Sequence, residues 1–298
     1  MRVLVTGAAG FVAPFVEREL ASRGHEVFAT DIARSAADCD IRSKEAVAAL
    51  VRDVRPDACV HLAGISFVPD AAKDPGLLYS VNIGGTLNLL DAFAALAPGS
   101  RFLFVSTAQA YGCTFDPEDT PVTEDAPLYP LSPYAISKAA GEAAVRAYGL
   151  YKGLDIRIVR PSNHTGPGQT AKFVVPSFIA QAKEILVGAR REFTTGNLES
   201  ARDFSDVRDI AAAYATILEN GESGATYNAC SRTRVRIGAL LDEIKALTGA
   251  DAPVVTDKSL WRPTDYSRLL DTTRLRAIGW APSYTLRDTL SAMIGQPK

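Results

Sequence analysis

Val3-Leu4-Val5-Thr6-Gly7-Ala8-Ala9-Gly10-Phe11-Val12-Ala13 decides the fold. A β-branched run ends in a turn of small residues, and an amphipathic stretch follows with Phe11, Val12, Phe15, Val16 and Leu20 along one face. This predicts a strand over Val3–Thr6 and a helix over Phe11–Arg23. Small residues let the chain turn tightly, and they let helix N-terminal amides approach a pyrophosphate. A glycine turn alone is a common accident; its place between strand and helix gives it weight.

Working outward, the same alternation repeats. Strands are predicted at Val27–Thr30, Ala58–Leu62, Phe102–Ser106 and Ile156–Val159, and helices at Lys44–Val54, Pro75–Leu96 and Ser132–Tyr151. Asp74 is placed to cap the long helix, with Pro75 at its first position. Continuous apolar strands separated by helices indicate an α/β fold, a doubly wound parallel (Rossmann) sheet whose ligands sit at the strands' carboxyl ends. The expected division is 1–160 for this sheet, with 196–223 returning to it. A smaller C-terminal substrate-binding lobe would take 161–195 and 224–298. In the second half, strands are expected near Phe193–Thr195, Ala225–Asn228 and Pro253–Thr256, helices at Val207–Glu219 and Ile237–Thr248, and two more helices at the end.

Composition narrows the function. Of 298 residues 47% are hydrophobic and 22% charged, which excludes disorder. Lys+Arg 32 against Asp+Glu 34 gives a net charge of −2, without the basic surplus of a nucleic-acid binder. The cysteines (Cys39, Cys59, Cys113, Cys230) form no CxxC pair, and His25, His61 and His164 lack zinc-ligand spacing, so no metal is expected. Reduced thiols, no signal peptide and no membrane span make a cytoplasmic protein the expectation.

Two constellations carry chemistry. Asp31 follows the second strand, 21 residues after Gly10. A carboxylate there accepts from both ribose hydroxyls of an adenosine and repels a 2′-phosphate, which favours NAD; nearby Arg34 keeps NADP open. Further along, Ser132-Pro133-Tyr134-Ala135-Ile136-Ser137-Lys138 opens a helix, so Tyr134 and Lys138 project from one face. A phenol with a pKa of about 10 is a sluggish acid at neutral pH, and a neighbouring ammonium is expected to make Tyr134 more acidic. Upstream, Thr107 in Ser106-Thr107-Ala108-Gln109 ends the fourth strand, where its hydroxyl either reaches the same carbonyl as Tyr134 or only caps the strand.

Taken together, Gly7/Gly10, Asp40-Ile41, His61-Leu62-Ala63-Gly64, Val81-Asn82, Thr107, Tyr134/Lys138 and Arg160-Pro161 resemble the extended short-chain dehydrogenase/reductases that act on nucleotide sugars, over nearly the whole chain. The resemblance implies a nicotinamide dinucleotide held by Gly7, Gly10, Phe11, Val12, Asp31, Asp40, Ile41, Leu62, Ala63 and Gly64, with Tyr134 and Lys138 beside it. It places Asp40 and Ile41 at the adenine and gives Lys138 the nicotinamide ribose. Ala13 stands where a third glycine is usual.

Within the family, His61–Pro69, Asn163–Gln169, Phe173–Val175 and Arg202–Val207 are similar to GDP-4-keto-6-deoxy-D-mannose reductases, although Ser162 replaces a bulkier aromatic. That likeness implies a GDP-sugar substrate, a diphosphate held by Arg202 and Arg262, and reduction of a 4-keto group to give GDP-D-rhamnose. Arg191 is a weaker candidate for the diphosphate, and Asn163 either donates to the substrate or braces its loop. A 4-epimerase needs the same Thr107, Tyr134 and Lys138 and remains the alternative. In a 4,6-dehydratase of this family an acidic residue stands two positions after the threonine; here it is Gln109, which cannot serve as a base. A dinucleotide-binding protein without chemistry would have no need of Tyr134 and Lys138. A homodimer is implied through a four-helix contact of Pro75–Leu96 and Ser132–Tyr151.

Overall fold

The apolar runs of the first half pair side by side as parallel strands. The computed structural model describes residues 1–32, 39–67, 73–112, 120–261 and 269–295. Arg34, Val68, Pro69, Cys113 and Arg262 therefore lie outside the described residues. Strands β1 (Arg2–Thr6), β2 (Glu26–Thr30), β3 (Ala58–His61), β4 (Arg101–Val105), β5 (Asp155–Pro161) and β9 (Thr226–Ala229) form a six-stranded sheet in the order β2-β1-β3-β4-β5-β9. Their residues alternate between two dry faces. Val3, Val5, Val60, Leu103 and Val159 face one core with α1 (Ala13–Ser22) and α6 (Val207–Asn220). Leu4, Cys59, Phe102, Phe104, Ile156 and Ile158 face the other. That second face is covered by α2 (Lys44–Val54), the long helix α3 (75–96) and α4 (Pro133–Lys152). A strand apolar on both sides is stable only between two helical layers, which is why these runs read as continuous.

The remaining elements gather beyond the carboxyl ends of β4 and β5. They are β6 (Asn163–Thr165), α5 (Val174–Leu186), β7 (Phe193–Thr195), β8 (Ala201–Asp206), β10 (Arg234–Arg236), α7 (Ile237–Thr248), β11 (Val254–Thr256) and α9 (Leu286–Ile294), whereas α8 (Thr273–Ala277) packs on the large sheet with Leu275 in its first core. Val175, Phe178, Phe193, Phe204, Leu240, Leu241 and Leu290 form a third core there. A three-stranded sheet (β10-β8-β6) and the parallel pair β11-β7 frame it.

Four expectations need correction. The first helix begins at Ala13, not Phe11, because Gly10 N–H turns back onto the Gly7 carbonyl at 3.0 Å and 11–12 complete that turn. Helix α3 is not uniform: a π-helical turn, Ser80–Gly85, interrupts it between Pro75–Tyr79 and Thr86–Leu96. Asn163–Thr165, where no strand is expected from the sequence, forms β6 and pairs with β8. Of the segment 196–223 expected at the main sheet, α6 packs in its first core while β8 stays with the smaller sheet; beyond it, β9 pairs with β5 and Leu275 and Trp280 join the first core.

Candidate active site

The strand order reverses between β1 and β3, and the turns leaving them open into a cavity of about 1080 Å³ between the large sheet and the smaller lobe. Gly7, Gly10, Phe11, Val12, Asp31, Asp40, Ile41, Leu62, Ala63 and Gly64 line it, as do Thr107, Tyr134, Lys138, Asn163 and Arg202. Arg191 is exposed and is not among the lining residues, so its candidacy for the diphosphate is dropped.

The dinucleotide end is built by close backbone approach. Gly7 has φ +76, and a Cβ there would lie 2.6 Å from the Ala63 amide nitrogen; only glycine lets the turn after β1 nest against the end of β3. Ala9 N–H donates to Asp31 Oδ2 at 3.1 Å, which ties the carboxylate at the end of β2 to the glycine turn. Beside it Arg42 grips Asp40 through Nε (2.9 Å to each oxygen) and a second nitrogen (2.6 Å). This guanidinium holds the Asp40 carboxyl below its usual range. The neutral glycine turn at the start of α1, the anchored acid at the ribose position and the small residues at 63–64 fit a dinucleotide.

The other end carries the acid–base groups. Ser132 caps α4 by accepting from Ala135 N–H at 3.1 Å, and Pro133 occupies its first turn. The cap fixes where the helix starts and so aims Tyr134 and Lys138 together. A side-chain hydrogen bond joins Tyr134 to Thr107. Thr107 itself accepts from Gln109 N–H at 3.2 Å, so it both starts the 3₁₀ turn after β4 and partners the phenol. Lys138 Nζ donates to the Val105 carbonyl at 2.8 Å and lies 5.2 Å from the centre of the Phe104 ring.

The expected acidity of the phenol is not what the chain's own groups produce. Burial pushes Tyr134 up to about 12, against the downward pull of the Thr107 hydrogen bond. The ammonium is spent on the Val105 carbonyl, and burial brings Lys138 down to about 8 against the opposing charge of Glu142. Such a phenol stays protonated at neutral pH, the form needed to give a proton away.

Several residues that hold this site had no assigned role in the sequence. Asn82, in the π turn of α3, accepts from Ile65 N–H at 2.8 Å and donates to the Ile65 carbonyl (3.1 Å) and to Ser137 Oγ (2.9 Å). It thereby stitches the 64–65 loop to α4. His61 is fully buried and kept neutral, its pKa driven to about 3 by burial and by the charge of Lys138. Its ring spans Thr6 Oγ1 (2.8 Å) and Thr86 Oγ1 (2.9 Å). Thr86 donates to the Asn82 carbonyl at 2.7 Å and Thr6 accepts from Ala63 N–H at 3.2 Å. These directions require Nε2–H to donate to Thr86 and Nδ1 to accept from Thr6. Ser162, in the place of an aromatic, donates to the buried carboxylate of Asp203 at 3.1 Å.

Comparison with known proteins settles what this geometry belongs to. The sequence pattern of the NAD dependent epimerase/dehydratase family matches residues 3–230. The chain belongs to this family. Its members include the GDP-6-deoxy-D-mannose reductase of Pseudomonas aeruginosa, to which this epimerase/dehydratase-family protein is 34% identical over 98% of its own length and 96% of the relative's. Among solved structures, RMD of Pseudomonas aeruginosa, complexed with NADPH, superimposes with TM-score 0.89 and 31% identity, covering 99% of this chain and 98% of that one. UDP-glucose 4-epimerase of Thermus thermophilus, complexed with NAD, gives 0.86 and 30%, covering 99% and 98%. The protein is thus an NAD(P)-dependent enzyme of the nucleotide-sugar reductase, epimerase and dehydratase group. Among the described residues no helix is long and apolar enough to cross a membrane, and no group of three His, Cys, Asp or Glu could hold a metal ion.

Proposed function

We propose that the protein reduces the 4-keto group of a nucleotide-linked 6-deoxy-hexose, with GDP-4-keto-6-deoxy-D-mannose as substrate and GDP-D-rhamnose as product. The observation that carries this is the pairing of Thr107 and a protonated Tyr134 at the cavity wall, with the neutral Gln109, not a carboxylate, two residues on. A ketone needs a proton donor, and dehydration also needs a base that Gln109 cannot be. The 34% identity to a GDP-6-deoxy-D-mannose reductase supports the choice of base and sugar.

A bound reduced nicotinamide supplies hydride to the 4-keto carbon. Gly7, Gly10, Phe11, Val12 and Leu62 to Gly64 would cradle its dinucleotide, Asp31 the ribose hydroxyls, and Asp40 with Ile41 the adenine. Tyr134 gives its proton to the ketone oxygen, and Thr107 hydrogen-bonds the phenol and steadies that oxygen. Lys138 keeps a positive charge close to the forming alkoxide. Arg202 presents a planar fork to the diphosphate, and Asn163 donates to a phosphate or sugar oxygen. NAD(H) is the proposed form because Asp31 would repel a 2′-phosphate; NADP(H), which RMD of Pseudomonas aeruginosa carries, is the alternative. Two copies are proposed to associate through α3 and α4.

The likeness to a UDP-glucose 4-epimerase favours a second reading, in which the same trio oxidises and re-reduces one carbon. One experiment separates the two. The enzyme is mixed with NADH or NADPH and GDP-4-keto-6-deoxy-D-mannose, and in parallel with UDP-glucose and NAD. Loss of absorbance at the nicotinamide band with the keto-sugar, absent in Tyr134→Phe, is the expected result. Interconversion of UDP-glucose and UDP-galactose without net cofactor consumption would overturn it.

A further inference from the structure

Tyr134, Lys138 and Glu142 stand at successive four-residue steps on the buried face of α4, and the proposed function uses only the first two. Glu142 is 1% exposed. One of its oxygens, Oε1, accepts from Ser106 Oγ at 2.5 Å and Arg160 Nε at 2.9 Å; Oε2 accepts from an Arg160 terminal nitrogen at 2.6 Å. Arg160, 2% exposed at the end of β5, gives its other terminal nitrogen to Tyr111 Oη (2.9 Å) and the Glu124 carbonyl (3.0 Å). Ser106 immediately precedes Thr107. A single carboxylate therefore ties the helix bearing Tyr134 and Lys138 to the strand end bearing Thr107, and to the strand that leads into Ser162 and Asn163.

We propose that Glu142, clamped by Arg160, is a positioning residue that keeps Lys138 charged and holds it in register with Thr107. The inference rests on the reading of Tyr134 and Lys138 as the acid–base pair. The charges around this point are few. On α4 there is Lys138; from β5 comes Arg160; from the 3₁₀ turn after β4 comes Tyr111, which burial keeps neutral. Glu124 accepts from Asn228 N–H at 2.9 Å and has Arg274 at 3.7 Å, while His61 on β3 is neutral beside Lys138. Take away the Glu142 charge and two buried cations, Arg160 and Lys138, lose the carboxylate that acts on both. Arginine does not lose its proton in proteins, so relief comes only from Lys138 becoming neutral. Glu142 is the one group that raises Lys138 against its burial.

The test is direct titration of Lys138 by ¹³Cε-lysine NMR, its signal assigned by its loss in Lys138→Met. In Glu142→Gln, which keeps the side-chain length and an acceptor for Ser106, the Lys138 midpoint should fall by about one pH unit, as a lost neighbouring charge requires. The alkaline limb of turnover should move to lower pH by the same amount, with KM for the dinucleotide little changed. A folded Glu142→Gln with an unmoved midpoint overturns the proposal. If the lone arginine prevents folding, Glu142→Gln with Arg160→Met removes both charges; the lost carboxylate should still lower the midpoint, but by less than one unit because the opposing charge of the arginine goes with it. A double variant that does not fold makes the pair a folding element only and also overturns the proposal. Because the titration needs no sugar, inactivity of the wild-type protein toward every keto-sugar would overturn the proposed function and leave this result standing.

Discussion

Lys138 shows how a residue can cost stability where it serves chemistry. Burial lowers it from its ordinary 10.5 to about 8, so the protonated form is disfavoured in the fold by about 3 kcal/mol at about 1.4 kcal/mol per unit. The sign follows from linkage. A base with a depressed folded pKa binds fewer protons folded than unfolded; its cost is complete below pH 8 and fades as pH rises toward 10.5. Lys138→Met should therefore be inactive and, at pH 7, more stable than wild type by about 2 kcal/mol, after about 1 kcal/mol for the lost bond to Val105. The gain should shrink between pH 8 and 10.5. Urea unfolding at pH 7 and at 9.5 checks this; a variant less stable at both would refute the burial argument. At this scale the sequence was informative about identity and misleading about acidity. That Tyr134, Lys138 and Thr107 share one cavity follows spacing and order, yet the phenol's upward shift was not legible, because it comes from how completely neighbouring elements cover Tyr134.

Among the elements, α3 is where periodicity misled. Asp74 and Pro75 mark its start as expected, since Asp74 accepts from Leu77 N–H at 2.9 Å. Nothing in the apolar pattern of 75–96 signals that the turn at 80–85 is wider. The interruption is held by one polar side chain of the helix and one from a strand: Thr86 bonds the Asn82 carbonyl, and His61 holds Thr86 from β3. The widened turn in turn places Asn82 against Ile65 and Ser137, so its consequence reaches the site. Thr86→Val should leave both the Asn82 carbonyl and His61 Nε2–H buried without this partner, at about 2 kcal/mol or more. Thr86→Ser, which keeps the hydroxyl, should recover most of that. Denaturant midpoints of the two variants decide it, and a Thr86→Val protein as stable as Thr86→Ser would show the relay to be idle. The short strands β6, β8 and β10 escaped notice for a related reason. A run of three such as Arg234–Arg236, one apolar residue between two exposed arginines, is too short to show alternation and gains its pairing only from neighbours distant in sequence.

For the whole molecule, the cavity between sheet and lobe explains why a long reach of the chain is needed to build one site, and the outer surface bears on the proposed association of two copies. Helices α3 and α4 lie side by side on the same sheet face, joined by Tyr148 Oη to Asp91 Oδ1 at 2.5 Å. Both carry exposed apolar side chains outside the cavity: Leu87 and Leu96 on α3, and Ile136, Leu150 and Tyr151 on α4, the last two 81% and 85% exposed. Each of these side chains is costly in water, and the proposed association would cover them. A twofold arrangement would set α3 and α4 of one copy against the same pair of the other, with one self-complementary patch serving both. The expected mass in sedimentation is twice the 31.8 kDa chain. Leu150→Glu combined with Tyr151→Glu would bury two carboxylates in that contact and should shift the species toward the monomer, with cofactor binding retained because neither residue lines the cavity. A wild-type protein that sediments as a monomer at every concentration tested would mean that these side chains face water in the working enzyme.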